Sequence, residues 1–217
     1  MNAMIDCIKR RFFTPETFCG LGSYLKNTKE ASAFIIQTIR DHKIKSIIDI
    51  GCGDMHWLAN VSLHDENIEK YTGIDSDSEM LSLAMGNTQT PNYRLIYQFM
   101  KADVRMISSL PKNDLIICRD LLIHLGNDDI HRLIEIFIKS GTKWMMANTY
   151  DIGRNYDLDG NQEYTKRIRP SRKINLFISP YYLPPAKENI RELNCSRDRI
   201  LCLWDLDDLR GLDKSNG

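Results

Sequence analysis

Acidic residues and glycines occur together where one apolar run of the sequence ends. The chain passes from Asp49 into a turn made of Gly51, Cys52 and Gly53, and Asp54 follows that turn directly. Glycines allow the backbone to approach a ligand closely, and ligands of open α/β sheets bind beyond the carboxyl ends of the strands. The turn therefore predicts a bound cofactor.

The residues after the turn distinguish between classes of cofactor. A dinucleotide fingerprint requires a third glycine at position 56, where this chain has His56, and a P-loop requires Lys after its last glycine, where it has Asp54. A carboxylate at the start of the next helix would repel a pyrophosphate, but it would tolerate a sulfonium ion that also carries an ammonium group. The pattern therefore favours a cationic donor.

Two further acids follow the next two predicted strands. Asp75 lies 24 residues after Gly51, at a strand end from which a carboxylate can accept hydrogen bonds from both ribose hydroxyls. Its alternative role is to cap the following helix, which is predicted to begin with a capping box formed by Ser76 and Glu79. Asp103 ends the next strand, where its carboxylate can accept a hydrogen bond from the adenine amino group.

Three further polar residues, Arg119, Asp120 and His124, follow the fourth predicted strand. Asp120 and His124 are four residues apart, so we expect them to share one helical face and to orient each other as a general-base pair. Arg119 has forked donors for the cofactor carboxylate or for an acidic acceptor, and its alternative role is to pair with Asp120. In the structural alternative, Asp120 caps a short helix and His124 is a packed, hydrogen-bonded histidine.

The elements that must position these residues alternate along the chain. Strand-length apolar runs are separated by segments of helical period, which predicts βαβ units and a parallel sheet. The predicted strands cover residues 46–50, 71–74, 93–100, 114–118, 143–148, 172–178 and 200–205, and the predicted helices cover residues 28–41 and 127–139 with another starting at residue 76.

The order of these motifs resembles motifs one to four of class I S-adenosylmethionine-dependent methyltransferases. The resemblance implies a Rossmann-like, seven-stranded, mostly parallel sheet with helices on both faces, and S-adenosylmethionine as the cofactor. It also implies that the glycine turn holds the methionine part, that Asp75 binds ribose, and that Asp103 and Val104 frame adenine. The implied cofactor-binding residues are Asp49, Gly51, Cys52, Gly53, Asp75, Ser76, Asp103, Val104 and Arg119, and the candidate catalytic residues are Arg119, Asp120 and His124. One departure is Met55, which stands where the family often has a third glycine.

A narrower resemblance connects the chain to an uncharacterised group of bacterial methyltransferases. That group has D-I-G-C-G-D, R-D-x-L-x-H-L, and I-N-L before P-x-x-L-P, which correspond here to residues 49–54, 119–125, 174–176 and 180–184. It often has G-x-G-S upstream, matched by residues 20–23. We therefore expect residues 1–27 to form an N-terminal helical or lid segment and residues 28–217 to form the methyltransferase domain.

Composition limits the classes of partner. Lys plus Arg and Asp plus Glu both total 29, so the chain has no general positive field for nucleic acid or anionic membranes. The sequence has no run of the length that spans a bilayer, and its cysteines are scattered, so we expect a cytoplasmic protein without a metal site. A basic stretch at residues 166–173 is either a clamp for an acidic acceptor or RNA, or a solvated loop.

The acceptor is narrowed by elimination. The chain has neither N-P-P-Y nor D-P-P-Y after the fourth strand and no Pro-Cys nucleophile there, which leaves an oxygen or amine of a small molecule as the favoured target. The alternatives are an RNA- or protein-directed methyltransferase, of which RNA is possible but not favoured, and a cofactor-binding module without catalysis. We expect a monomer or a homodimer.

Overall fold

The computed structural model describes residues 16–88, 95–158 and 170–212. Within them, seven strands form one sheet in the order β3-β2-β1-β4-β5-β7-β6. Strands β1 to β5 are parallel, whereas β7 runs antiparallel to both of its neighbours. The strands are β1 (Ser46–Ile50), β2 (Lys70–Asp75), β3 (Ile96–Lys101), β4 (Leu115–Cys118), β5 (Trp144–Tyr150), β6 (Glu188–Arg191) and β7 (Arg199–Asp205).

Helices cover both faces of the sheet, as predicted. The α-helices are α1 (Lys29–His42), α2 (His56–Ala59), α3 (Ser78–Asn87), α4 (Asn127–Lys139) and α5 (Leu206–Leu212), and short 3-10 turns occur at Leu21–Ser23, Leu25–Asn27, Leu63–Glu66 and Leu122–His124. Phe34 of α1 belongs to the apolar cluster on one face, and Phe137 of α4 belongs to the cluster on the other. Burying one such side chain stabilises the fold by roughly 1.5–3 kcal/mol.

The central strands position the chemistry at one edge of the sheet. Strands β1 and β4 are buried on both faces, which explains why their sequences are almost continuously apolar. Their parallel pairing places Ile50 beside Ile74 of β2, and Cys118 beside Ala147 of β5. The carboxyl ends of β1, β2 and β4, and the polar residues that follow them, therefore lie at the same edge.

Two helix predictions have different outcomes. The helix predicted at residues 127–139 is confirmed with the same bounds. The capping box predicted at Ser76 is wrong, because α3 begins at Ser78 and its cap is Asp77, whose carboxylate accepts from the backbone N–H of Glu79 at 2.8 Å. Ser76 is exposed and belongs to the connection before the helix.

The strand predicted at residues 172–178 is also wrong. Ile174 and Leu176 are fully buried, but their backbone groups bond to the end of β5 rather than to a strand ladder. The carbonyl of Ile174 accepts from Tyr150 N at 2.7 Å, and the Leu176 N–H donates to Thr149 Oγ1 at 2.9 Å. The apolar pattern of residues 172–178 therefore belongs to a loop that packs on the core. The remaining strand of the seven-stranded sheet is β6, which the sequence analysis did not predict.

None of the helices in the described residues is both long enough and apolar enough to cross a membrane.

Candidate active site

A pocket opens at the carboxyl edge of the parallel strands and brings most of the predicted site together. Its predicted lining residues are Asp49, Gly51, Cys52, Gly53, Asp75, Arg119, Asp120 and His124, and it is completed by Cys19, Ser23, Asp54, Trp57 and Leu121. Ser76, Asp103 and Val104 do not line this pocket. Within the described residues, no group of three or more His, Cys, Asp or Glu side chains is arranged to hold a metal ion.

The glycine turn is fixed to the neighbouring strand by its backbone. Gly51 and Gly53 have φ angles of 78° and 57°, which other residues adopt at a cost. The N–H groups of Gly51 and Cys52 donate to the carbonyl of Ile74 at 2.8 and 3.2 Å. Gly53 N donates to Asp75 Oδ2 at 3.0 Å. Asp75 thus holds the turn in place. Its carboxylate oxygens have further lone pairs, which are suited to accept hydrogen bonds from ribose hydroxyls.

Asp49 is a buried carboxylate that accepts a hydrogen bond from a neutral hydroxyl. Its Oδ2 accepts the hydroxyl of Tyr71 at 2.6 Å. Burial raises the pKa of Asp49 to about 7, and the Tyr71 hydrogen bond opposes that rise. Near neutral pH this side of the pocket is therefore poised between a neutral acid and a carboxylate.

Asp54 faces the N-terminal segment rather than a ligand. We call residues 16–28 the strap, because this segment crosses the glycine turn. Asp54 Oδ2 accepts from Thr17 Oγ1 at 2.6 Å and from Phe18 N at 3.0 Å, and its Oδ1 lies 3.2 Å from Cys19 Sγ. A Cβ atom on Gly53 would overlap that Sγ. The hydrogen bond from Thr17 helps to hold the pKa of Asp54 below its usual range despite burial.

The two residues predicted to frame adenine, Asp103 and Val104, make contacts within the chain. The Ala102 N–H donates to the Asp75 carbonyl at 2.9 Å, which places Asp103 close to the end of β2. Both carboxylate oxygens of Asp103 accept from Arg105, the shortest contact being 2.6 Å. Val104 is buried in the core. The adenine role of Asp103 and Val104 stays a prediction.

Arg119, which follows the central strand β4, is buried. Its Nε and Nη2 donate to Glu192 Oε1 at 3.1 and 2.7 Å, and Nη2 also donates to the carbonyl of Gly22 in the strap at 2.9 Å. The guanidinium lies 5.0 Å from the ring centroid of Trp57, within the range of a cation–π contact. Its Nη1 lies 3.3 Å from Asp120 Oδ2.

Asp120 is held by side chains of β5 and β7 and has a left-handed backbone conformation with φ 62°. Arg199 Nη2 of β7 donates to its Oδ2 at 2.7 Å. Asn148 of β5 accepts from Asp120 N at 2.7 Å and donates to Asp120 Oδ1 at 3.2 Å. Burial alone would raise the pKa of Asp120, but the charges of Arg119 and Arg199 hold it below its usual range. Asp120 is therefore an anion across the neutral pH range.

His124 does not share a helix with Asp120, because a left-handed residue cannot continue a right-handed helix. The prediction of a common helical face is therefore wrong, and His124 instead ends the 3-10 turn Leu122–His124. Its Nδ1 lies 2.8 Å from the carbonyl oxygen of Pro170. Because a carbonyl only accepts hydrogen bonds, Nδ1 carries the proton, and in the neutral ring Nε2 is the basic nitrogen.

Glu192 and Arg199 are site residues that the sequence analysis missed. Glu192 is fully buried, and its Oε2 accepts from Arg199 Nε at 2.6 Å while its Oε1 binds Arg119. In the sequence both lie in a charged stretch near the C-terminus that resembles a solvated surface. Asn148 is a polar residue inside the apolar run of β5, and this feature of the sequence could have indicated buried polar contacts at this side of the pocket.

The basic stretch divides into two parts. Lys166, Arg167 and Arg169 lie outside the described residues. Arg172 donates to the Leu125 carbonyl and to Asn127 Oδ1, which fixes the loop against the start of α4, and Lys173 pairs with Asp198. The two described cations are thus engaged in contacts within the chain.

Comparisons with known proteins agree with this arrangement. Residues 47–139 match a family model described as a methyltransferase domain. The chain is similar to the methyltransferase domain of a bacterial Hen1 protein, at 14% identity over 84% of this chain and 98% of that chain, with a TM-score of 0.57. It is also similar to an S-adenosylmethionine-dependent methyltransferase from Clostridium acetobutylicum, at 16% identity over 81% of this chain and 90% of that chain, with a TM-score of 0.58. No curated protein matches the chain.

Proposed function

We propose that this chain is a class I S-adenosylmethionine-dependent methyltransferase that transfers the methyl group of its cofactor to an oxygen or an amine of a small-molecule acceptor. The match of residues 47–139 to a methyltransferase family model and the similarity of the fold to solved methyltransferases support the proposal. The observation that carries the proposal is the convergence of the glycine turn, Asp75, Arg119 and His124 on one pocket. When bound, the cofactor supplies a methyl group on a positively charged sulfur, and the protein must align the acceptor with it.

The donors and acceptors of the pocket fit such a cofactor. We assign Asp75 to the ribose hydroxyls, since it already lies at the end of β2 against the turn. Asp49 lines the same pocket and is suited to the ammonium end, and Arg119 is suited to the carboxylate of the methionine part. Asp54 is not assigned to the cofactor, because the strap residues satisfy its carboxylate.

His124 is the residue that we assign as general base. It lines the pocket, and the Pro170 carbonyl selects the tautomer in which Nε2 accepts a proton. Removal of a proton from a hydroxyl or from an ammonium group prepares the acceptor atom for attack on the methyl carbon.

Calorimetry with S-adenosylhomocysteine tests the cofactor site directly. We expect saturable binding to the intact chain with one site per chain. Screening metabolite pools for consumption of S-adenosylmethionine then tests transfer, and His124→Ala should abolish consumption while leaving binding of S-adenosylhomocysteine intact. Binding without consumption by any pool would instead indicate a cofactor-binding module without catalysis.

An RNA acceptor is the second candidate, and the neighbour described as a bacterial Hen1 methyltransferase domain is no more than a likeness of fold. RNA binding by this chain would be salt-dependent and would disappear when the cations at positions 166, 167 and 169 are replaced by Gln. Salt-dependent RNA binding that is lost in those variants, or turnover on RNA, would contradict the small-molecule proposal.

Two finer assignments rest on the resemblance of the sequence. Membership of the bacterial group with the R-D-x-L-x-H-L motif is proposed from residues 49–54 and 119–125. We also propose that residues 16–27 of the strap are the described part of the predicted N-terminal lid segment, supported by the hydrogen bonds of the strap to Asp54 and Arg119.

A further inference from the structure

The charges around the pocket are unequal in sign. Among the described lining residues, Asp49, Asp54, Asp75 and Asp120 are acidic, whereas Arg119 is the permanent cation. A cleft lined mainly by one sign of charge concentrates ligands of the opposite sign. A phosphate or carboxylate on the acceptor would meet repulsion here, and an organic cation would be attracted.

The four carboxylates do not have the same task. Asp54 is bonded to the strap, Asp75 holds the glycine turn, and Asp49 is bonded to the Tyr71 hydroxyl. Asp120 lines the pocket together with His124, and its side chain remains 23% exposed. It is therefore the carboxylate best placed to meet a second ligand beside the cofactor.

The surrounding residues keep Asp120 charged without covering it. Its Oδ2 is bound by Arg199 at 2.7 Å and lies 3.3 Å from Arg119, whereas its Oδ1 accepts a longer bond of 3.2 Å from Asn148. A carboxylate oxygen has lone pairs for about two hydrogen bonds, so Oδ1 retains capacity for a further N–H donor. Fully buried Glu192 bonds both guanidiniums from behind and fixes their direction.

We propose that the acceptor is a protonated amine whose ammonium group is bound by Asp120, with Arg199 and Glu192 as positioning residues that hold Asp120 in the pocket. This inference rests on the proposed function and narrows its acceptor from oxygen or amine to amine. Asp120 is then a recognition group, and His124 is the base.

The transfer balances with the residues in hand. His124 Nε2 takes one proton from the ammonium group, which gives the neutral amine a lone pair. That lone pair forms the new N–C bond to the methyl carbon, and the electrons of the breaking C–S bond stay on sulfur. The products are S-adenosylhomocysteine and a methylated ammonium ion, and His124 returns its proton to solvent.

The test uses simple cations and their neutral counterparts on the intact chain saturated with S-adenosylhomocysteine. The probes are n-butylammonium and benzylammonium, compared with n-butanol and benzyl alcohol in saturation-transfer NMR titrations. We expect the wild type to prefer each ammonium over its alcohol by about 10-fold to 100-fold, the range of a charge-assisted hydrogen bond. Equal binding of the two members of each pair, or no binding of the ammonium probes, would overturn the proposal.

Asp120→Asn is the decisive variant, because Asn tolerates a left-handed backbone and has nearly the same shape. It should lose the ammonium preference while its affinity for S-adenosylhomocysteine stays within about threefold of the wild type. An equal loss of S-adenosylhomocysteine affinity would mean that Asp120 binds the ammonium group of the cofactor, and the proposal would be wrong.

Arg199 tests the positioning role. Arg199→Gln should lose the preference and Arg199→Lys should recover part of it, with S-adenosylhomocysteine affinity retained in both. Glu188→Gln is a matched control on the same antiparallel pair, since Glu188 pairs with His42 instead of the pocket arginines. A preference that persists in Arg199→Gln would overturn the positioning role. Failure of the wild type to bind S-adenosylhomocysteine would refute the proposed function itself.

Discussion

Asp49 and Asp120 line the same pocket but have opposite electrostatic surroundings. Asp49 is bonded to the neutral hydroxyl of Tyr71, and burial raises its pKa to about 7. Asp120 is flanked by Arg119 and Arg199, which hold its pKa below the usual range although burial opposes them. The comparison shows that two flanking arginines outweigh the effect of burial at Asp120, whereas the neutral Tyr71 hydroxyl does not outweigh it at Asp49.

The largest expected effect comes from removing the acid behind those arginines. Glu192→Gln leaves two buried guanidiniums with one fewer carboxylate, and breaking a buried ion pair from one side typically costs about 3–5 kcal/mol. Urea unfolding at pH 7 should show a loss of that order in the free energy of unfolding. Glu188→Gln, whose side chain is partly exposed, should lose less than about 1 kcal/mol. Similar losses in the two variants would contradict the buried role of Glu192.

The next effect concerns Asp75, which we assign to the ribose hydroxyls. Its contribution to ligand affinity is a reference for the comparison of Asp49 with Asp120. Asp75→Ala removes a carboxylate that holds the Gly53 N–H and is assigned to both ribose hydroxyls. Two charge-assisted hydrogen bonds correspond to roughly a 100-fold or greater loss of S-adenosylhomocysteine affinity in calorimetry. Asp114→Ala is the control, because Asp114 accepts backbone N–H groups at the opposite edge of the sheet. Unchanged affinity in Asp75→Ala would refute the ribose assignment.

Asp49→Asn should increase the free energy of unfolding at high pH, whereas substitutions of buried polar residues usually decrease it. The folded-state pKa is raised from 3.8 to about 7, so the stability associated with the neutral acid is complete below about pH 4 and is lost as the pH rises through 7. Asn remains uncharged and can still accept the Tyr71 hydroxyl. The variant should match the wild type near pH 4 and gain on the order of 2–4 kcal/mol by pH 9, measured by urea unfolding. A constant difference across this range would contradict the shift.

The smallest effect concerns the strap. Thr17→Val removes the hydroxyl that donates to Asp54 at 2.6 Å, and we expect a loss of about 1 kcal/mol. The local readout is hydrogen exchange of the Phe18 amide, which donates to the same carboxylate and should exchange faster. Thr28→Val is the control within the strap, because that hydroxyl bonds to the Leu25 carbonyl instead. Unaltered protection of Phe18 would show that Asp54 does not hold the strap.

The side of the pocket formed by the glycine turn and Asp75 could be predicted because its signals in the sequence are local. The turn at residues 51–53 and the acid at the end of β2 follow apolar runs whose parallel pairing brings their carboxyl ends together. The same reasoning predicted α4 with its observed bounds, since its apolar residues recur at helical spacing up to a glycine.

The other side depends on contacts between distant parts of the chain. Arg119 bonds to Glu192, 73 residues later, and no local pattern indicates that pairing. Strand β6 is an edge strand whose residues are all partly or fully exposed, so it lacks the apolar alternation by which strands are recognised. Residues 172–178 have an apolar pattern because they cover the core, although their backbone bonds to the end of β5.

The chain order of the arginine cluster has a consequence during synthesis. Arg119 emerges from the ribosome well before Glu192, so its guanidinium charge lacks the fully buried carboxylate that binds it until the last two strands are made. A nascent chain or fragment that stops before Glu188 would bury that charge at a cost of several kcal/mol. Competence to bind a ligand at this end should therefore appear late in translation, after the parallel strands can already have formed.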